Sequence, residues 1–430
     1  MKPRTVIVLW IIALVLGISV YFIKKSASNE EKTTTNRTPG QTLLADFPAD
    51  KVATIEITGA KQSATLALKD GKWSVAQRDS FPANKRNIND LLRSLAELKV
   101  SQAIEAGPSF APRFGMDESS TAAETRGITA VFKDSSGKEL AKVSFGKNLD
   151  AAAESSPIGG GASGRFIRNH ADESGFYAVS ELLGTLSEDP KSWLSEDFIK
   201  VDKIEGISIT KPNSDENEWE FTRADENADF AFTDAYPGVK TDVAATAPLK
   251  SLFSFSRFDD VIPAAEVEKK ATPDKLQKAV ITTFEGFTYN VTLQPAKPAA
   301  AQEGAKGPPA ADSYLMTVAV TAELAKERAK PEGEKPEDAD AAQKSFDEKL
   351  KTLTENLDKA KALEGRTFEV SKYTVEALLK NRTEFMDKGP GPEAAAPPVP
   401  EGISAVTSPI EIPSTLARPE QPAPEEAPAE

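Results

Sequence analysis

Few residues in this chain could carry covalent or acid–base chemistry. Cysteine is absent, which removes disulfides, thiolate nucleophiles, zinc–thiolate sites and a lipid-modified cysteine anchor. His170 is the only histidine, so a Ser-His-Asp relay or a zinc site has to run through it, and a multi-histidine metal site is impossible. Asp172 and Glu173 stand beside it. An acid/base pair there needs a shaped pocket that makes the side chains converge; neighbours on a polar loop are expected to be solvated instead. The run Ser156–Gly164, SPIGGGASG, has the glycines of a phosphate loop but lacks the Gly-Lys-Ser/Thr ending that reaches phosphate and metal. It reads as an inter-strand loop. Acidic residues are abundant, so spacing alone leaves a facing carboxylate pair of the glycosidase kind open. No catalytic residue, cofactor or metal ligand is assigned.

Aromatic residues are the other candidates. Trp73 and Trp219 read as matching strand positions in a repeat, which points to core packing; stacking on a sugar or peptide is the alternative. Phe253, Phe255 and Phe258 follow an apolar helix, partly as core and partly as an exposed interaction patch. The net charge of −14 argues against nucleic acid, which requires clustered Lys and Arg.

These residues must be positioned by a chain with a strongly segregated sequence. Val6–Ile23 reads VIVLWIIALVLGISVYFI without a charge. At ~1.5 Å per residue it spans roughly 27 Å, close to the ~30 Å hydrocarbon core. Lys2 and Arg4 precede it, Lys24 and Lys25 follow, and Trp10 and Tyr21 lie toward its ends. Residues 1–25 are thus expected to form a transmembrane anchor. A cleaved signal peptide ending near Ser26-Ala27-Ser28 is the competing reading. The short basic start favours export of the chain beyond the apolar run, which places the body outside the cytoplasm. Polar residues 26–45 read as a flexible stalk, and the Pro-, Ala- and Glu-rich stretch 388–430 as a disordered tail.

Between them lies an internal repeat. Asp50–Thr58 (DKVATIEIT) aligns without gaps to Asp202–Thr210 (DKIEGISIT), each preceded by an Asp-Phe pair, Asp46-Phe47 and Asp197-Phe198. Lys72-Trp73 answers Glu218-Trp219, and Leu92-Arg93-Ser94-Leu95 answers Leu249-Lys250-Ser251-Leu252. In the first copy, Val52–Ile57 and Ala64–Leu68 alternate as strands. Asp70-Gly71 is a hairpin turn, and Trp73–Ala76 returns as the third strand. Asn87 or Asn89 then caps a helix with Ile88, Leu91, Leu92, Leu95 and Leu98 on one stripe. A second hairpin spans Ile128–Phe132 and Leu140–Phe145. Arg165–Asn169 and Gly175–Val179 come next, then a short helix with Leu182, Leu183 and Leu186. The second copy repeats the plan at Ala279–Phe284, Tyr289–Leu293, Tyr314–Val320 and Thr367–Val370, with a closing helix at Thr374–Lys380. Within it, 322–366 is charged and alanine-rich with Phe346, Leu350, Leu353 and Leu357 at helical spacing, an inserted helix. Its stripe packs on its own module or on a partner helix. The fold class is α+β: two tandem modules of antiparallel sheet with packed helices, at 46–196 and 197–387.

Three groups of residues carry a family resemblance: Phe47–Val52 with Asp70-Gly71-Lys72-Trp73, Phe114-Gly115-Met116-Asp117, and Val143–Gly146 with Phe176–Val179. Together they resemble the bacterial family known as domain of unknown function 4340, over roughly Asp46 to Met386. The second copy has no match to Phe114–Asp117. The resemblance implies a single-anchor protein of the bacterial inner membrane, with its body in the envelope. It also implies an association with ABC-type transport components of the gliding-motility auxiliary kind. It supplies no catalytic residues. The expected function is that of a non-catalytic accessory or scaffold subunit of a membrane complex, with membrane-protein partners. An extracytoplasmic module for glycan or peptide and a carboxylate-based hydrolase are the alternatives.

Overall fold

Two antiparallel sheets are built from consecutive halves of the chain. In the computed structural model, residues 35–149, 163–172, 175–235, 239–298, 312–330 and 335–387 are described. The anchor expected at 1–25, most of the glycine-rich 156–164 loop, Glu173 and the tail 388–430 lie outside the described residues. Among those described, no helix is long and apolar enough to cross a membrane.

The first sheet comprises β1 (Thr54–Thr58), β2 (Ser63–Lys69), β3 (Lys72–Val75), β4 (Phe81–Pro82), β5 (Gln102–Ala103), β6 (Ile128–Lys133), β7 (Glu139–Leu149), β8 (Gly164–Asn169) and β9 (Phe176–Val179). Its order is β4-β3-β2-β1-β6-β7-β8-β9-β5. The second comprises β10 (Ile204–Thr210), β11 (Asn217–Thr222), β12 (Ala231–Phe232), β13 (Asp260–Ile262), β14 (Gln277–Thr283), β15 (Phe287–Pro295), β16 (Ser313–Ala322) and β17 (Thr367–Ser371). Its order is β12-β11-β10-β14-β15-β16-β17-β13. Laid side by side, the two orders coincide strand for strand, and only β4 lacks a counterpart. The duplication seen in DKVATIEIT and DKIEGISIT is therefore a duplication of sheet topology.

Local sequence explains most elements. Ile55 and Ile57 are buried on one face of β1, opposite Leu66 and Ala64 of β2. Asp70 (φ 50°) and Gly71 (φ 75°) both take the left-handed conformation that a two-residue hairpin turn demands. The first helix is Lys85–Glu97, and its N-cap is Asn84, not Asn87 or Asn89: the Asn84 side chain accepts the Arg86 and Asn87 N–H groups at 3.1 and 3.2 Å. The earlier start is possible because Ala83, the residue before the cap, is held by pairing with Leu194. Ile88, Leu91, Leu92, Leu95 and Leu98 are all buried. The inserted helix runs Pro336–Lys361 between β16 and β17.

Several expectations are corrected. Leu182–Leu186 is not a helix; Leu183 takes φ 50°, Leu186 closes a turn back to it, and Leu182 is exposed. Thr374–Lys380 is replaced by two single turns, Lys372–Val375 and Glu376–Leu379. Trp73 and Trp219 do not hold matching positions. Trp219 lies on β11, beside the central β10 and opposite Ile209, whereas Trp73 lies on β3, one strand further out. A Trp-to-Trp match ignores that β2 has no aromatic residue. Both indoles are nonetheless buried. The stalk is shorter than its polar composition implies. Leu43 and Leu44 are buried, and the Gly40 and Leu43 N–H groups donate to the carbonyls of Val100 (2.8 Å) and Leu98 (2.7 Å).

The described residues up to Asp387 form one compact unit, with a hydrophobic core that runs through both sheets. The unmatched strand β4 helps make the seam. Phe81 packs edge-on against Phe258 and Phe368 at 5.6 and 5.9 Å. Phe198 adds to the same cluster, 4.9 Å from Phe368. Beside it the Arg78 guanidinium donates both Nε and Nη2 to the Asp260 carboxylate, at 2.6 and 2.9 Å. Asp79 accepts the Ala264 N–H at 2.8 Å, and Arg366 donates to the Asp79 carbonyl at 2.9 Å.

Candidate functional site

His170 follows β8, where it is brought to Ser144 of β7 and Glu118. Its Nε2 lies 2.8 Å from Ser144 Oγ and 3.3 Å from Glu118 Oε1. A Ser-His-carboxylate relay requires the acid on Nδ1, leaving Nε2 to take the serine proton. Here both partners share Nε2. Ser144 is also 1% exposed and bonded to Thr129 Oγ1 at 2.9 Å, so no substrate atom reaches it. Burial, followed by the charges of Arg168 and Lys142, holds the imidazole down at about 4, against the opposing pull of Glu118. His170 is therefore neutral at pH 7 and serves as a polar link between strand and loop.

Asp172, two residues on, points elsewhere. Its carboxylate receives Arg37 Nε and Nη2 at 3.1 and 3.2 Å, and the Tyr177 hydroxyl at 2.7 Å. Burial and this carboxylate raise the Tyr177 phenol well above its ordinary range. The network ties the segment before β1 to β9. His170 and Asp172 are neighbours in sequence that do not converge.

A titration of the single histidine tests this assignment. Its ring resonances are expected to shift with a midpoint near pH 4, below the ordinary ~6.5. Because the unfolded chain takes up this proton first, the His170 contribution is constant above ~6.5 and falls away as the pH drops toward about 4. His170→Gln should flatten that slope in chemical denaturation; a midpoint near 6.5 would show an exposed ring instead.

A concave surface walled by aromatic residues belongs to the second half. A cavity of about 570 Å³ lies among the segment Glu196–Asp202, the loop Ser254–Arg257, the β14–β15 turn and residues Leu353–Leu363 at the end of the inserted helix and just beyond it. Phe198, Phe287 and Tyr289 supply aromatic wall. Burial, then the charges of Asp202 and Glu285, push the Tyr289 phenol up to about 12. Leu353 and Leu357 of the helix pack on the core, while Phe346 and Leu350 beyond them are only half-buried. A second cavity of about 230 Å³ adjoins the first, sharing Glu196 and Arg257. The apolar helix expected before the three phenylalanines is a short helical stretch, Val243–Thr246 continued by the 3-10 turns Ala247–Ser251, and the three rings after it separate cleanly. Phe253 is core, Phe258 joins the seam, and Phe255 is 93% exposed at the rim of the larger cavity.

The described residues hold no group of three or more potential metal ligands. Sequence reasoning found Phe255 but not the cavity, which is assembled from four segments far apart in the chain. It also missed Arg37 and Trp193, which packs fully buried with its indole N–H on the Ser187 carbonyl at 2.8 Å. Two of the three signature groups meet: Phe114 packs on Phe176 at 5.3 Å, and Gly146 lies against the Phe114 carbonyl, with Phe166 beside them, 5.0 Å from Phe114. They form a small packing cluster on the first sheet.

A protein-family model described as "Domain of unknown function (DUF4340)" matches residues 73–302. No curated protein and no solved structure matches the chain.

Proposed function

We infer a function from the premise that this chain belongs to the DUF4340 family, whose model covers more than half of its 430 residues, and propose a non-catalytic accessory or scaffold subunit of a membrane complex. In this reading residues 1–25 anchor the protein in the bacterial inner membrane, the body lies on the extracytoplasmic side, and the partner is a membrane assembly of the ABC-transport type. One observation carries the reading. A recess of about 570 Å³ lies against the inserted helix, a wall that among the described residues only one of the two duplicated halves has, and it carries the exposed Phe255 on its rim. A surface elaborated in one copy of a repeat, around an uncovered aromatic ring, suits recognition of another protein.

The experiment is cross-linking in intact membranes followed by affinity purification of the full chain. A stable membrane-protein partner is expected, with recovery reduced several-fold by Phe255→Asp at unchanged expression. Recovery of the protein alone would overturn the reading. A glycan-binding alternative resting on Trp73 and Trp219 loses its support, because both rings are buried in the core.

A further inference from the structure

The two halves can be matched residue by residue across the segment after each helix. Asn84 and Asp242 begin the helices, and each donates its N–H to a closing segment, to the carbonyls of Trp193 (2.7 Å) and Phe385 (2.8 Å). Further on, the Ser101 N–H donates to Ala178 O and the Asp259 N–H to Glu369 O, both at 2.8 Å, at the equivalent strands β9 and β17. The same number of residues separates the two fixed points in each half. Leu98, Lys99 and Val100 therefore correspond to Ser256, Arg257 and Phe258, and the sequence match of Leu92–Leu95 to Leu249–Leu252 is one residue out of step with this spacing.

In the first half this segment is paired. Thr42 bridges antiparallel to Lys99; the Leu43 N–H donates to Leu98 O, the Val100 N–H to Gln41 O and the Gly40 N–H to Val100 O, at 2.7–2.9 Å. In the second half no described residue takes the place of that partner strand. The chain that could fill the place, Leu194 and Ser195, is drawn off to bridge Ala83 and to donate to Pro82 O. No backbone N–H or C=O of Ser256, Arg257 or Phe258 bonds to another described residue. The 230 Å³ cavity lies in the gap, with Leu194, Ser195 and Glu196 on one side and Arg257, Phe258 and Asp259 on the other. The exposed Phe255 lines the larger cavity, two residues from Arg257, which both cavities share.

We propose that the backbone edge Ser256–Phe258 takes an extended peptide segment of a partner protein, in the way that Leu98–Val100 takes Gln41–Leu43. Backbone hydrogen bonds to an open edge supply affinity, and pockets beside it read alternate side chains. The first half shows what chemistry fits such an edge: a polar pair followed by aliphatic side chains, Gln41-Thr42-Leu43-Leu44. Lys191 and Arg257 face Glu196 and Asp259 around the gap, so the rim favours neither sign of charge, and an apolar side chain toward Phe255 and Phe198 sets the preference. The inference deepens the scaffold reading and rests on it, but binding of a peptide by the purified chain can fail whether or not a membrane partner co-purifies.

The probe is a fluorescent peptide with the sequence of residues 38–45, TPGQTLLA, titrated into the purified full-length protein. Saturable binding and slowed amide exchange at 256–258 are expected. N-methylation of the peptide amides equivalent to Gly40 and Leu43 should weaken binding about tenfold or more without altering the protein, and Phe255→Asp should do likewise. Four results would overturn the proposal: no saturation up to about 1 mM, indifference to N-methylation, protection at Leu98–Val100 instead, or a concentration-dependent dimer that protects 256–258 without peptide and so assigns the edge to a second copy.

Discussion

Gly127→Ala is expected to lower stability by more than ~4 kcal/mol, the range reserved for substitutions that the backbone cannot accommodate. Gly127 ends the short helix Ala123–Arg126 at φ 62°, ψ −154°, a region open essentially to glycine alone. A Cβ there would lie 2.3 Å from the carbonyl oxygens of both Gly115 and Phe145. Neither can retreat, because Phe145 is locked in β7 against β6 and β8, and Gly115 belongs to the Phe114–Asp117 turn. Urea unfolding followed by far-UV circular dichroism reads the effect. Gly137→Ala is the control, since it shares positive φ (83°) but has nothing within 4 Å, and should cost only about 1–2 kcal/mol. Equal losses for the two would show that the crowding at Gly127 relaxes.

Asp172→Ala should cost about 3–5 kcal/mol, as expected when one partner of a buried ion pair is deleted. The Asp172 side chain is 5% exposed and that of Arg37 18%, so the guanidinium and the Tyr177 hydroxyl would lose their acceptor with little access to water. Asp172→Asn retains an acceptor but no charge, and an intermediate loss is expected. The local consequence is distinctive. Arg37 clamps the start of the segment that pairs with Leu98–Val100, so Arg37→Ala should expose residues 37–44 to limited proteolysis at protein concentrations and temperatures where both sheets stay folded. Uniform destabilisation without such cleavage would mean the segment is held by Leu43 and Leu44 alone.

Legibility of the fold followed the strength of local signals. Long alternating strands, the Asp70-Gly71 turn and the leucine stripe of the first helix each combine periodicity with a turn or cap that states its conformation. The strands that escaped notice, β4, β5, β12 and β13, have two or three residues each and hold their place through neighbours. Leu182-Leu183 resembles a helix only in composition; a left-handed Leu183 and the pull of Arg165, which donates to the Leu182 carbonyl at 3.0 Å, decide otherwise. Of the candidate site, the exposed ring was visible among three phenylalanines that sequence treats alike. Which of them is core, seam or rim depends on residues more than fifty positions away.

Residue types and short-range patterns were enough for the composition limits on chemistry, the α+β class, the duplication and the family, because each lies in local order or in residues that are simply present or missing. Long-range packing sets how His170 and Asp172 part company, how β4 and Arg78 join the halves, and why, among the described residues, one copy leaves an edge unpaired that the other fills. Those outcomes turn on which distant backbone groups reach one another first, and hydrogen-bond partners separated by a hundred residues leave no periodic trace in the chain.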